Sequence, residues 1–99
     1  MEKKEFIVIV YAYNQIGVLN RITNAYIKGN VNIEKLNVAE TSEQGISLAV
    51  ISAVTSEEAI RRVVNLLNNI IDVIEARFYE PEDMLYKELG IYRNLKITV

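Results

Sequence analysis

The chain has 99 residues, enough for one compact domain with a single core, of which 51% are hydrophobic; its formal net charge is −2, and it has neither cysteine nor histidine. Without those two residue types there is no disulfide, zinc cluster, thiol nucleophile or imidazole acid–base chemistry, and the slight negative charge offers no counterion-release term to a nucleic-acid partner. The apolar residues come in short runs, none approaching the roughly 20 needed to span a bilayer, and Met1-Glu2-Lys3-Lys4-Glu5 leads into a strand with no signal cleavage site, so the expected compartment is the cytoplasm, with no membrane partner.

Phe6 to Tyr13 is rich in β-branched and aromatic residues and predicts a first strand. After Asn14-Gln15-Ile16-Gly17, apolar residues recur at Val18, Leu19, Ile22, Ala25 and Tyr26, one face of a helix that Gly29-Asn30 stops. Gly17 permits a tight strand-to-helix turn. The first-turn N–H groups of Gly17, Val18 and Leu19 then have no earlier carbonyl to satisfy them, and with the positive end of the helix they suit a carboxylate. Asn14 fits either a ligand contact or a local cap of this turn, and Asn32 is open in the same way.

Ile33 to Thr41 alternates in polarity, Ser42-Glu43-Gln44-Gly45 turns the chain, and Ile46 to Val54 returns as a third strand. Thr55 to Glu58 has the spacing of a capping box in which Glu58 reaches back, and Ala59, Ile60, Val63, Val64 and Leu67 mark a second helix. Ile71 to Tyr79 is the fourth strand. Beyond it, Glu80-Pro81 fits a helix start, Met84, Leu85 and Leu89 a short apolar stripe, and Gly90 a stop, while Leu95, Ile97 and Val99 alternate like a strand in need of a sheet. Glu80, Glu82 and Asp83 suit the start of that helix better than a metal site.

The order β-α-β-β-α-β predicts an α+β ferredoxin-like sandwich over residues 1–79: a four-stranded antiparallel sheet with both helices on one face, strands one and three central and two and four at the edges. If Val8, Val10 and Ala12 face the helices, Ile7, Ile9, Tyr11 and Tyr13 face the other way, joined by Leu48 and Val50 from strand three. An apolar second face calls for a cover: the tail of residues 80–99, a second copy, or another protein. Base stacking by Tyr11 and Tyr13 is disfavoured, since Ser47 to Ala53 has no aromatic or basic residue.

Several segments carry a resemblance. Asn14-x-x-Gly17-Val18-Leu19-x-Arg21-Ile22, Asn32-Ile33-Glu34-x-Leu36-x-Val38, Gly45-Ile46-Ser47, Leu67-Asn68-x-Ile70-Ile71-Asp72-Val73-Ile74 and Lys87-Glu88-Leu89 resemble the ACT-domain small regulatory subunit of acetohydroxyacid synthase, also called acetolactate synthase. That resemblance implies a protein without catalytic residues, metal or cofactor of its own. Its partners would be a second copy in a homodimer and a large catalytic subunit that carries thiamine diphosphate, with feedback control by valine or another branched-chain amino acid. Effector sites are implied at the junction of two side-by-side ACT units, here Asn14, Gly17, Val18, Leu19 and Asn32, with Ile33 as an apolar neighbour. Ile9, Tyr11, Tyr13, Leu48 and Val50 are the expected interface. The family usually has proline where Ile16 stands, and Arg-Gly-aromatic where this chain has Gly29-Asn30-Val31. A stand-alone amino-acid sensor and a purely structural ACT dimer remain the alternatives.

Overall fold

The computed structural model describes residues 2–83. Its elements are β1 (Lys4–Tyr13), α1 (Val18–Lys28), β2 (Lys35–Glu40), β3 (Ile46–Thr55), α2 (Glu57–Asn68) and β4 (Val73–Tyr79). All strand pairs are antiparallel, in the order β2-β3-β1-β4, so the predicted central and edge strands are in their places. Residues 81–83 are helical; the predicted tail stripe and terminal strand lie outside the described residues.

One face of the sheet and the two helices form the main core. Phe6, Val8, Val10 and Ala12 alternate inward from β1, and Ala49, Ile51 and Ala53 do so from β3. Against them pack Val18, Ile22, Ala25 and Tyr26 of α1 and Ala59, Ile60, Val63 and Leu67 of α2. Leu19, expected on the buried stripe, is 42% exposed. It sits in the first turn of α1.

One local expectation shifts. The expected capping box from Thr55 to Glu58 gives way to a single N-cap: Ser56 is the N-cap, its Oγ accepts from the Ala59 N–H at 3.1 Å, and Ala59 in the third position has no side chain to reach back. Thr55 cannot serve, because it is still paired with Lys4 in the sheet and is buried. Glu57 pairs along the helix with Arg61 at 2.6 Å. At the end of α1, Asn30 takes the left-handed conformation (φ 61°) and Gly29 does not (φ −80°). Gly29 is there for closeness: a Cβ on it would lie 2.5 Å from Val63 Cγ2 on α2.

On the second face, Ile9 stands opposite Val50 and Tyr11 opposite Leu48, the predicted neighbours. That face is apolar, as predicted. Ile9, Leu48 and Val50 are only 4%, 1% and 7% exposed and form a second apolar cluster bordered by Ile7, Tyr11 and Tyr79. Tyr13, at the end of β1, is about half exposed.

Candidate functional site

The site is built where β1 hands over to α1. The Tyr13 N–H donates to the Asp72 carbonyl at 2.8 Å, and the Asn14 N–H to the Gly45 carbonyl at 2.8 Å, so the strand end is held between the start of β4 and the β2–β3 hairpin. The chain then reverses through Gly17, whose left-handed conformation (φ 88°) strains any residue with a Cβ. Arg21, one turn into α1, reaches back past Gly17 and pairs with Asp72. That ion pair ties the helix start to the sheet.

Of the expected row of free N–H groups, those of Gly17 and Leu19 are free and that of Val18 is not. The Val18 N–H donates to the Gln15 carbonyl at 3.2 Å, while the Arg21 N–H makes the first helical bond, to Gly17. Among the described residues, the N–H groups of Gly17, Leu19 and Asn20 have no acceptor, and no side chain caps the helix. No acid occupies the first turn. The donors and the positive helix end are therefore available to an anion from outside.

A cleft of about 160 Å3 opens beside this turn. Asn14, Gly17, Val18 and Leu19 line it, as the sequence suggested, and so do Val10, Ala12, Gln15, Ile22, Val38, Ser47 and Ala49. The space follows from small side chains: Ala12 is paired with Ser47, and Ala49 lies between Val10 and Val38, on the face that α1 covers. Gln15, Val38 and Ser47 were missed. Alternation within β3 sets Ser47 on the face of Ala49, which was the available signal, whereas Val38 joins them through the β2–β3 register.

Asn32 and Ile33 do not belong to this cleft. They lie between α1 and β2, at the far end of the helix from Gly17; Asn32 is exposed and Ile33 packs against the main core. Asn14 and Asn32 share one property. Neither side-chain amide has a hydrogen-bond partner among the described residues, so the local-cap reading of Asn14 is not realised. Exposed apolar side chains, Ile16 and Leu19 among them, rim the site. No group of three or more acidic residues suited to a metal occurs among the described residues, and no helix there is long and apolar enough to cross a membrane.

Residues 8–75 match the model of the AHAS small subunit-like ACT domain. The chain is 31% identical over 90 residues to the acetolactate synthase small subunit of Aquifex aeolicus, covering 91% of this chain and 47% of that one. It is 30% identical over 88 residues to the acetolactate synthase small subunit of Bacillus subtilis, covering 88% and 51%. The chain thus spans about half the length of the curated relatives it matches. Among solved structures, the acetolactate synthase small subunit of Thermotoga maritima superposes with a TM-score of 0.71 at 22% identity, over 79% of this chain and 48% of that one. The ACT domain of a GTP pyrophosphokinase from Chlorobium tepidum gives 0.66 at 14% identity, over 78% and 99%. With its sequence matched across most of the sandwich and its fold shared with ACT domains, the chain belongs to the AHAS small subunit-like ACT domain family.

Proposed function

We propose that this chain is the non-catalytic regulatory ACT unit of an acetohydroxyacid synthase. Two copies pair side by side along β2, bind a branched-chain amino acid such as valine at their junction, and bias the activity of a catalytic subunit that carries the thiamine diphosphate. The free N–H groups of Gly17, Leu19 and Asn20 suit the carboxylate, and the apolar walls from Val10, Val18, Ile22 and Val38 suit an aliphatic side chain. The effector changes activity only as far as its affinities for two arrangements of the dimer differ.

The observation that carries this reading is the separation of two unpaired amides, Asn14 and Asn32, at opposite ends of α1. Antiparallel pairing of two β2 edges with all helices on one side centres on Asn37 or Val38 facing its own copy. Asn32 of the partner subunit then comes opposite Ser42 or Gln44, beside the Gly45 carbonyl that holds Asn14. The cleft is small for a complete ligand site, about half the roughly 300 Å3 at the low end of such pockets, which fits a site that a second chain completes.

The test pairs two experiments on the full chain. Valine, leucine and isoleucine are titrated calorimetrically into the protein, and a cognate catalytic subunit is assayed with and without it. Binding heat together with activation and amino-acid inhibition supports the proposal. Heat without any effect on the catalytic subunit reassigns the chain as a stand-alone sensor, and activation without heat as an adaptor.

A further inference from the structure

An edge strand turns every second N–H and C=O outward, where another chain can pair with them. The two edges of this sheet differ. Just past β2, the Thr41 N–H donates to the Ile46 carbonyl at 3.0 Å at the hairpin end. Counting back in twos, Ala39, Asn37 and Lys35 turn their backbone groups toward β3, and Leu36, Val38 and Glu40 turn theirs outward. Among the described strands none lies beyond them.

At the other edge the central outward residue of β4, Ala76, has both its backbone groups met from within the chain. Asn68 is the last residue of α2, and its side-chain amide closes on Ala76 in the middle of β4. The Ala76 N–H donates to Asn68 Oδ1 at 2.9 Å, and Asn68 Nδ2 donates to the Ala76 carbonyl at 3.0 Å. One donor and one acceptor on a single residue are the pair a neighbouring strand would supply. A carboxylate could not make both, since it cannot donate. Two positions earlier, the register between β1 and β4 shifts next to Ala12, so the ladder is already interrupted there.

We infer that the Asn68 amide is an edge guard that confines self-association of this chain to β2, a second copy of the chain being the partner it excludes from β4. The inference rests on the β2-paired dimer proposed above. With β4 closed, pairing of β2 with its own copy is isologous and ends at two chains. With both edges open, each dimer would present a β4 at either end, and β4–β4 pairing would extend it into a ribbon with no natural stop. The guard sits on a helix that packs in the main core, so its position does not depend on any ligand.

The test uses the full chain and its Asn68→Ala variant, with mass followed by light scattering across concentration and folding by circular dichroism. The wild type is expected to stay at two chains, with the Ala76 amide slow to exchange with deuterium although it is on an edge strand. Folded N68A is expected to grow several-fold in mass as concentration rises. If N68A loses its fold, Asn68→Ser, too short to bridge both Ala76 groups, gives the same readout. Val38→Pro, which blocks the β2 edge, is expected to be monomeric, and V38P/N68A dimeric through β4. A folded N68A that keeps the wild-type mass at every concentration, or a wild-type Ala76 amide that exchanges fast, overturns the guard. A monomeric wild type whose N68A variant associates keeps the guard and removes the β2 dimer instead.

Discussion

Substituting Gly29 by alanine isolates the contact between the two helices. The backbone there (φ −80°) accepts any residue, so no conformational penalty arises, and restricting the unfolded chain would alone stabilise by about 0.4–1 kcal/mol. Against that, the new Cβ would sit 2.5 Å from Val63 Cγ2 and 3.3 Å from the Ala25 carbonyl oxygen. Val63 is β-branched and fully buried, so it has no rotamer to retreat into, and overpacking of this kind costs about 1–3 kcal/mol. The net expectation is a loss of about 1–2 kcal/mol, a fall in Tm of roughly 5–15 °C for a domain of this size. Urea unfolding measures it, with an unchanged m-value showing that only the native state has altered. Val63→Ala alone costs about 2 kcal/mol from lost methyl groups and the cavity left behind. In the double variant the methyl added at position 29 occupies that cavity, so the two losses should fall short of additive by at least about 1 kcal/mol. A G29A variant as stable as the wild type, or strict additivity with V63A, would refute the reasoning.

Other outcomes follow from single contacts. The Tyr26 hydroxyl is buried with no hydrogen-bond partner among the described residues, so Tyr26→Phe should leave stability unchanged or raise it by about 1 kcal/mol in thermal unfolding. Burial also pushes the Tyr26 pKa upward from its ordinary 10.0. Above that pH the unfolded tyrosine ionises while the folded one stays neutral, so stability falls with rising pH. Y26F should flatten that alkaline slope by up to about 1.4 kcal/mol per pH unit in urea titrations. Gly17→Ala forces a Cβ into a left-handed turn (φ 88°) and against Arg21 Nη1 at 3.3 Å; it should cost about 1–2 kcal/mol and weaken valine binding in calorimetry. Ser56→Ala removes the bond from the Ala59 N–H and should lower stability by about 1 kcal/mol.

The order of elements was legible because each has its own period and punctuation. Val8, Val10 and Ala12 alternate, Val18, Ile22, Ala25 and Tyr26 recur at helical spacing, and Gly45 closes the hairpin with a positive φ. What stayed hidden depends on distance between segments far apart in the chain. Gly29 reads as a helix stop, yet its constraint comes from Val63 on the other helix. Thr55 and Ser56 both fit a cap by type, and only the pairing of Thr55 with Lys4 decides between them. Leu19 fits the apolar stripe but is 42% exposed in the first turn of α1. The Asn14 end of the site was readable as a turn, whereas Val38 and Ser47 enter it through strand register. The amide of Asn68 is silent in any pattern of polarity, because its partner is the backbone of Ala76.

The central claim is that one binding site is shared by two chains, Asn14 coming from one and Asn32 from the other. Subunit complementation tests it most directly. Asn14→Ala and Asn32→Ala, each pure and dimeric, should both lose valine binding in calorimetry. An equal mixture allowed to exchange subunits should regain about one quarter of the wild-type sites, since half the dimers are mixed and each has one intact site. Failure of the mixture to regain any binding, or full binding by either variant alone, would contradict the account.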